Sequence, residues 1–286
     1  MKLGAFELNE PVPELREPHV LAMLRPWIDV GSVGSLVIAW LETHYAAKGL
    51  GKLARPGVFF DFTRYRPTTY MQDGQRQMAI PNTTATYAKQ ETGNDFIFLH
   101  LLEPHNHSEE YIDSVLQLMT KFNAKRYFLL GSMYDYMPHT RPLIVTGNTG
   151  QGTQPVRRSI YQGPTSITSL ISQLATPNGV EIMSLLVHLP QYTQLDEDYM
   201  GTVRVMETLD TLYDLKPDES YIAKAEKQRE QIDATLSEDS QLKGIVEQLE
   251  KHYDARAERR REEQEPKLSP EIEKFLAEMD KRFREG

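Results

Sequence analysis

Residues 96–130 read FIFLHLLEPHNHSEEYIDSVLQLMTKFNAKRYFLL, and this stretch decides the fold. It opens on the continuous apolar run Phe96-Ile97-Phe98-Leu99 and closes on a second, Tyr127-Phe128-Leu129-Leu130. Continuous apolar runs of this length are the mark of strands covered on both faces. Between them, Ser108–Phe122 reads as a helix, so the stretch predicts strand, crossover helix and strand: a βαβ unit.

Outward from it, strands are expected at His19–Leu24, Val58–Phe62, Phe96–Leu101, Tyr127–Leu130, Leu143–Thr146 and Glu181–His188. Helices are expected at Ser35–Lys48, Ser108–Phe122, Thr165–Ala175 and Glu197–Leu215. Alternation of this kind predicts an α/β protein with a largely parallel sheet between helical layers.

The chain changes character near Pro217. The last 70 residues hold 14 basic and 19 acidic side chains, against 18 and 22 in the first 216. The expected organisation is an α/β core over 1–216 and a charged helical extension over 217–286. Dense, nearly balanced charge describes a solvated helical surface. Apolar stripes remain at Leu242, Ile245, Val246, Leu249 and Tyr253, and at Ile272, Phe275, Leu276, Met279 and Phe283 behind the Ser269-Pro270 cap. Such stripes predict docking on the core or on a neighbouring subunit.

Bulk composition excludes several classes. A net charge of −9 lacks the cation excess that nucleic-acid binding needs. There is no cysteine, which removes disulfides, thiolate metal sites and cysteine nucleophiles. The longest apolar stretch, Leu36–Leu41, is far below the roughly 18 residues of a membrane span. Glu7 interrupts the N-terminus before any signal-like apolar segment. A cytoplasmic protein without metal or cofactor is expected.

Four loops fall where open α/β sheets place ligands, at strand ends. In Pro26–Gly34, Asp29, Gly31 and Gly34 lie between strand and helix; the glycines allow a tight turn, and the helix amides that follow can hold an anion. The loop is neither a P-loop, lacking its lysine, nor a full dinucleotide fingerprint. In Pro138-His139-Thr140-Arg141-Pro142, extended backbone would point His139 and Arg141 the same way, toward phosphate or carboxylate; the alternative pairs Arg141 with Asp135 and His139 with backbone. In Tyr161-Gln162-Gly163-Pro164-Thr165-Ser166, a sharp turn is followed by Thr165 or Ser166 as helix cap or hydroxyl donor. In His188-Leu189-Pro190-Gln191-Tyr192, a histidine ends a buried strand, as a general base or a structural histidine. His105 and His107 have no evident third metal ligand, and Gly147–Gly152 reads as a surface loop.

These segments, in this order, resemble the proteasome-assembly-chaperone-type family of archaea and bacteria. The likeness is carried by Trp27–Gly31, by Leu130-Gly131 through Pro138-His139-Thr140-Arg141, by Tyr161–Thr165, and by Ser184-Leu185 through Pro190-Gln191-Tyr192. It covers about the first 215 residues, and Ile272–Leu276 is similar to a short helix that ends many bacterial members. The resemblance implies a three-layer α/β/α sandwich akin to nucleoside phosphorylases, and closed homo-oligomers such as a trimer. The chain itself is thus the first expected partner, with a further protein partner beside it. It implies little about activity; the ATP-dependent ligase label sometimes attached to the family has no phosphate loop here to support it. Two positions depart from the pattern: Gln191 stands where a histidine is common, and the terminal Arg282-Phe283-Arg284-Glu285-Gly286 lacks the hydrophobic-Tyr-X ending of archaeal members that engage proteasomes. The leading expectation is a non-enzymatic assembly scaffold; the alternative is a phosphorylase-like site. There, the amides near Gly31 and Gly34 and Arg141 would hold an anion, His139 would give a proton and Asp29 would orient a sugar or base.

Overall fold

A computed structural model of the chain describes residues 1–149, 156–158 and 162–264. The expected stripe from Ile272 to Phe283, the glycines at 150 and 152, and Tyr161 lie outside them. In chain order the elements are β1 (Lys2–Leu3), β2 (Phe6–Leu8), β3 (His19–Arg25), α1 (Val33–His44), β4 (Lys48–Leu53), β5 (Thr68–Gln72), β6 (Gln75–Ala79), β7 (Thr84–Ala88) and β8 (Phe96–Leu102). They continue with α2 (Ser108–Lys121), β9 (Arg126–Asp135), β10 (Val145–Asn148), β11 (Arg157–Arg158), α3 (Ile167–Ala175), β12 (Glu181–Pro190), α4 (Tyr199–Tyr213), α5 (Glu219–Glu238) and α6 (Ser240–Gln264).

Ten strands form one sheet in the order β1-β2-β4-β7-β8-β3-β9-β12-β10-β11. Its centre, β8-β3-β9-β12, is parallel, and antiparallel strands flank it on both sides. The α/β class with a large parallel-centred sheet between helices is therefore as expected. Both apolar runs of residues 96–130 are strands, with β3 inserted between them.

The continuous apolar character of those strands has a direct cause in the layers. Ile97, Leu99 and Leu101 of β8, with Tyr127 and Leu129 of β9, face the core under α2 and α3. Phe96 and Phe98, with Phe128 and Leu130, face the core under α1 and α4. Both sides are dry, so a polar group on these strands costs stability unless it finds a partner.

Three expectations need correction. Val58–Phe62 is not a strand: Pro56–Val58 forms a 3-10 turn, and Phe59 and Phe60 are core residues carried by the turn rather than by a ladder. Proline at the turn's start removes a ladder donor, so apolar content alone misled. The first helix ends at His44 rather than Lys48, because Ala46 takes a positive φ and Lys48 begins β4. The strand expected at Leu143–Thr146 runs instead from Val145 to Asn148. Among the described residues no helix is long and apolar enough to cross a membrane.

Candidate functional site

At the end of β3 the chain turns through the cis Arg25-Pro26 bond and leaves Trp27 exposed. Asp29, in contrast, is buried at the start of α1. Its carboxylate accepts the Ser35 backbone N–H at 3.1 Å and the Ser35 hydroxyl at 2.6 Å, with the Gly34 amide as a further donor. Burial pushes the Asp29 pKa up, and these donors pull it back. The amides at this helix start, expected to serve an outside anion, thus hold the chain's own carboxylate.

The glycines of this loop serve packing. Gly31 has φ +58°, and a Cβ there would stand 2.7 Å from the Asp198 Cβ. Its carbonyl accepts the Asp198 N–H at 2.8 Å, while the Asp198 carboxylate caps α4 through Gly201 N at 2.7 Å. A Cβ on Gly34 would meet the Leu130 carbonyl at 2.8 Å, so α1 lies against β9 only with glycine there.

His139 and Tyr192, from the second and fourth loops, meet. Tyr192 Oη accepts the His139 N–H at 2.8 Å and also contacts His139 Nδ1. On the other side, His139 Nε2 lies 2.9 Å from Asp233 Oδ1 on α5. The assignment satisfying every group has Nε2–H donating to Asp233 and Nδ1 accepting the Tyr192 hydroxyl proton. Burial pushes the Tyr192 hydroxyl up to about 12.

Arg141 does not pair with Asp135. Its guanidinium grips Asp254 of α6 through Nε at 3.0 Å and Nη2 at 2.8 Å, and Glu250 through Nη1 at 3.2 Å. Thr140 also donates to Glu250, Arg229 donates to the His139 carbonyl, and Tyr253 donates to the Pro142 carbonyl at 2.9 Å. The whole Pro138–Pro142 loop is therefore strapped under α5 and α6. His139 is directed inward to Asp233 and Arg141 outward to α6, so the two do not converge on one external ligand.

Asp135 has a different partner. His188 Nδ1 lies 2.8 Å from Asp135 Oδ2, and His188 Nε2 lies 2.8 Å from Thr146 Oγ1 on β10. The hydrogen bond to His188 holds the Asp135 carboxyl below its usual range, against an opposing push from burial. An imidazole oriented by a carboxylate and facing a hydroxyl can take up that hydroxyl's proton.

The third loop stands apart. Gly163 and Thr165 are exposed, and Thr165 shares a hydrogen bond with Ser169. The expected hydroxyl cap of α3 is absent; Glu103 at the end of β8 takes the Ile167 N–H at 3.0 Å instead. Burial raises the Glu103 pKa. α3 packs on the core opposite to α1 and α4, so Gly163 and Thr165 do not join Asp29, His139 or His188. His105 and His107 diverge as well: Nδ1 of His105 accepts Asp61 N–H, and His107 pairs with Glu110.

Asp135, Thr146, Asp198, Asp233, Glu250 and Asp254 were not among the expected site residues. The three carboxylates on α5 and α6 lie 94 to 113 positions from their partners, so no local spacing signals them.

With this geometry in place, the comparison with known families is decisive: the PAC2 family model matches residues 23–236. The chain belongs to the PAC2 family. Among solved structures similar to this chain, a Corynebacterium glutamicum protein of unknown function shares 21% identity at a TM-score of 0.79, over 89% of this chain and 98% of that one. A Mycobacterium tuberculosis proteasome-assembly chaperone homologue shares 22% at 0.69, over 79% and 99%. PbaB of Pyrococcus furiosus, an archaeal proteasome activator, shares 15% at 0.63, over 82% and 99%. At such identities the likeness concerns the fold. No functionally curated protein matches the sequence. The PAC2 match reaches Leu236, so it takes in most of α5 and its Asp233 contact.

Proposed function

We propose that this PAC2 protein is a homo-oligomeric, chaperone-like assembly scaffold of the cytoplasm that holds a protein partner rather than turning over a small molecule. One observation carries the reading: the groups that would receive an anion are already satisfied within the chain, the α1 amides by Asp29 and Arg141 by Glu250 and Asp254. Family membership supports it, since solved relatives include a proteasome-assembly chaperone homologue and a proteasome activator. Native mass spectrometry of the full chain from nanomolar to micromolar concentration tests it. Masses at multiples of 32.9 kDa, a trimer among them, are expected. A monomer at every concentration would overturn the reading.

A second reading has its own observation, the Thr146–His188–Asp135 chain. It assigns the chain a small-molecule site of nucleoside-phosphorylase type. Thermal unfolding with phosphate and nucleosides, on the wild type and on Arg141→Ala and His188→Asn, separates the two. A ligand at about 100 times its Kd adds roughly 2.7 kcal/mol and moves the midpoint by a few degrees. A shift that either variant abolishes favours the site, and no shift removes it.

A further inference from the structure

The β5–β6 hairpin belongs to neither core. It is a separate two-stranded sheet, and all ten of its strand residues are exposed. Its turn is well made: Asp73 and Gly74 both take positive φ, at 50° and 75°, the pairing that suits the strand twist. A lone two-stranded hairpin is nevertheless marginal in water and needs a further surface to lie on.

The register shows what that surface must be. Thr69 pairs with Met78 and Met71 with Arg76, so these four share one face, which Ile80 extends. Met71 is 65% exposed, Met78 62% and Ile80 52%. Exposed flexible thioethers beside an aliphatic side chain are the makings of a contact face, not of a solvent face. Residues 63–80 also carry Arg64, Arg66 and Arg76 against the single acid Asp73, on a chain of net charge −9. The arm is locally basic and the rest of the molecule acidic, so charge steers the arm toward a further copy, where its apolar face needs an uncharged seat.

The copy also offers a seat. Leu170 and Leu174, one turn apart on α3, are exposed. From Gln162 to Gly179 the sequence has no charged residue, although 26% of the chain is charged. Charge depletion around exposed leucines is the composition of an interface centre.

We propose that the β5–β6 arm of one copy packs its Met71–Met78–Ile80 face on the Leu170–Leu174 face of α3 in the next. The proposal rests on the homo-oligomeric reading above and names its contact. Because arm and seat are different surfaces, two copies can exchange arms about a two-fold axis, or each copy can give its arm to one neighbour and take an arm from another.

Native mass spectrometry and light scattering on full-length M71E/M78E and L170E/L174E test it, with circular dichroism as a folding control. Both pairs are exposed, so the monomer fold is expected to survive. Association weakens on the order of 100-fold in each double variant. Because the chain has no cysteine, M71C/L170C provides a second readout: mild oxidation yields covalent multimers joined at those two positions. An oligomer that withstands both double variants and gives no cross-link overturns the arm contact alone. A wild-type monomer overturns the arm contact and the homo-oligomeric reading together, and leaves the arm's apolar face to a different protein.

Discussion

Tyr127 sits wholly inside the sheet, and its hydroxyl finds no hydrogen-bond partner among the described residues. A buried unpaired hydroxyl costs about 1–3 kcal/mol, so Tyr127→Phe should stabilise the protein by roughly 1–2 kcal/mol in urea unfolding. Tyr111 is equally buried but meets Thr83 Oγ1 at 2.7 Å, so Tyr111→Phe should destabilise, because it leaves Thr83 with one partner fewer. His19 carries the residue-scale pH response. Burial, with Arg126 nearby, lowers its pKa to about 4 from an ordinary 6.5. Between those values the unfolded chain binds a proton there that the folded chain refuses, so its contribution to stability falls as pH drops from 6.5 toward 4. Urea midpoints measured from pH 7 to pH 4.5 should therefore fall less steeply in His19→Gln than in the wild type. At this scale His139 and Tyr192 were legible because prolines and a strand end marked their loops. Their meeting was not, since it joins loops 53 positions apart.

Among elements, α5 and α6 are held to the body by polar contacts more than by apolar burial. Leu236 and Val246 are their buried apolar residues among those described, whereas Asp233, Glu250 and Asp254 all bind the Pro138–Pro142 loop. Arg141→Ala should speed amide hydrogen exchange across α6 several-fold while leaving β8 and β9 unchanged. Raising ionic strength on the wild type should act in the same direction, because the Arg141–Asp254 pair is open to solvent. Elements with two dry faces were the readable ones: β8 and β9 announce themselves as apolar runs, whereas β12 keeps one dry face and one that is only partly covered. Strands away from the centre gave weaker signals. Lys48-Gly49-Leu50-Gly51-Lys52-Leu53 is β4, but its glycines blur the alternation, and Gly51 is required because a Cβ would stand 2.6 Å from the Glu7 carbonyl. Every strand residue of the β5–β6 arm stays exposed on its own chain, so hydrophobic patterning had no buried face to register.

For the molecule as a whole, both core clusters draw all their buried members, among the described residues, from positions up to Leu215; Tyr221 and Tyr253 pack against them from beyond. We expect a chain stopped after Lys216 to keep its sheet and unfold cooperatively, at a lower temperature, with His139 newly accessible. Circular dichroism melts and dye binding to apolar surface check this, and aggregation with loss of the sheet signal would contradict it. The α/β class followed from the sequence because layers impose periodicity on every strand they cover. The closure of the site did not, because ion pairs across a hundred positions leave no periodic trace.

The strap over His139 and Arg141 has a consequence for how the protein comes into being. Those two residues leave the ribosome long before the carboxylates that hold them, Asp254 following Arg141 by 113 positions. At ordinary elongation rates the wait is on the order of 10 s. For that interval the nascent chain presents a free guanidinium and an uncovered imidazole, and translation of α5 and α6 is what withdraws them from circulation.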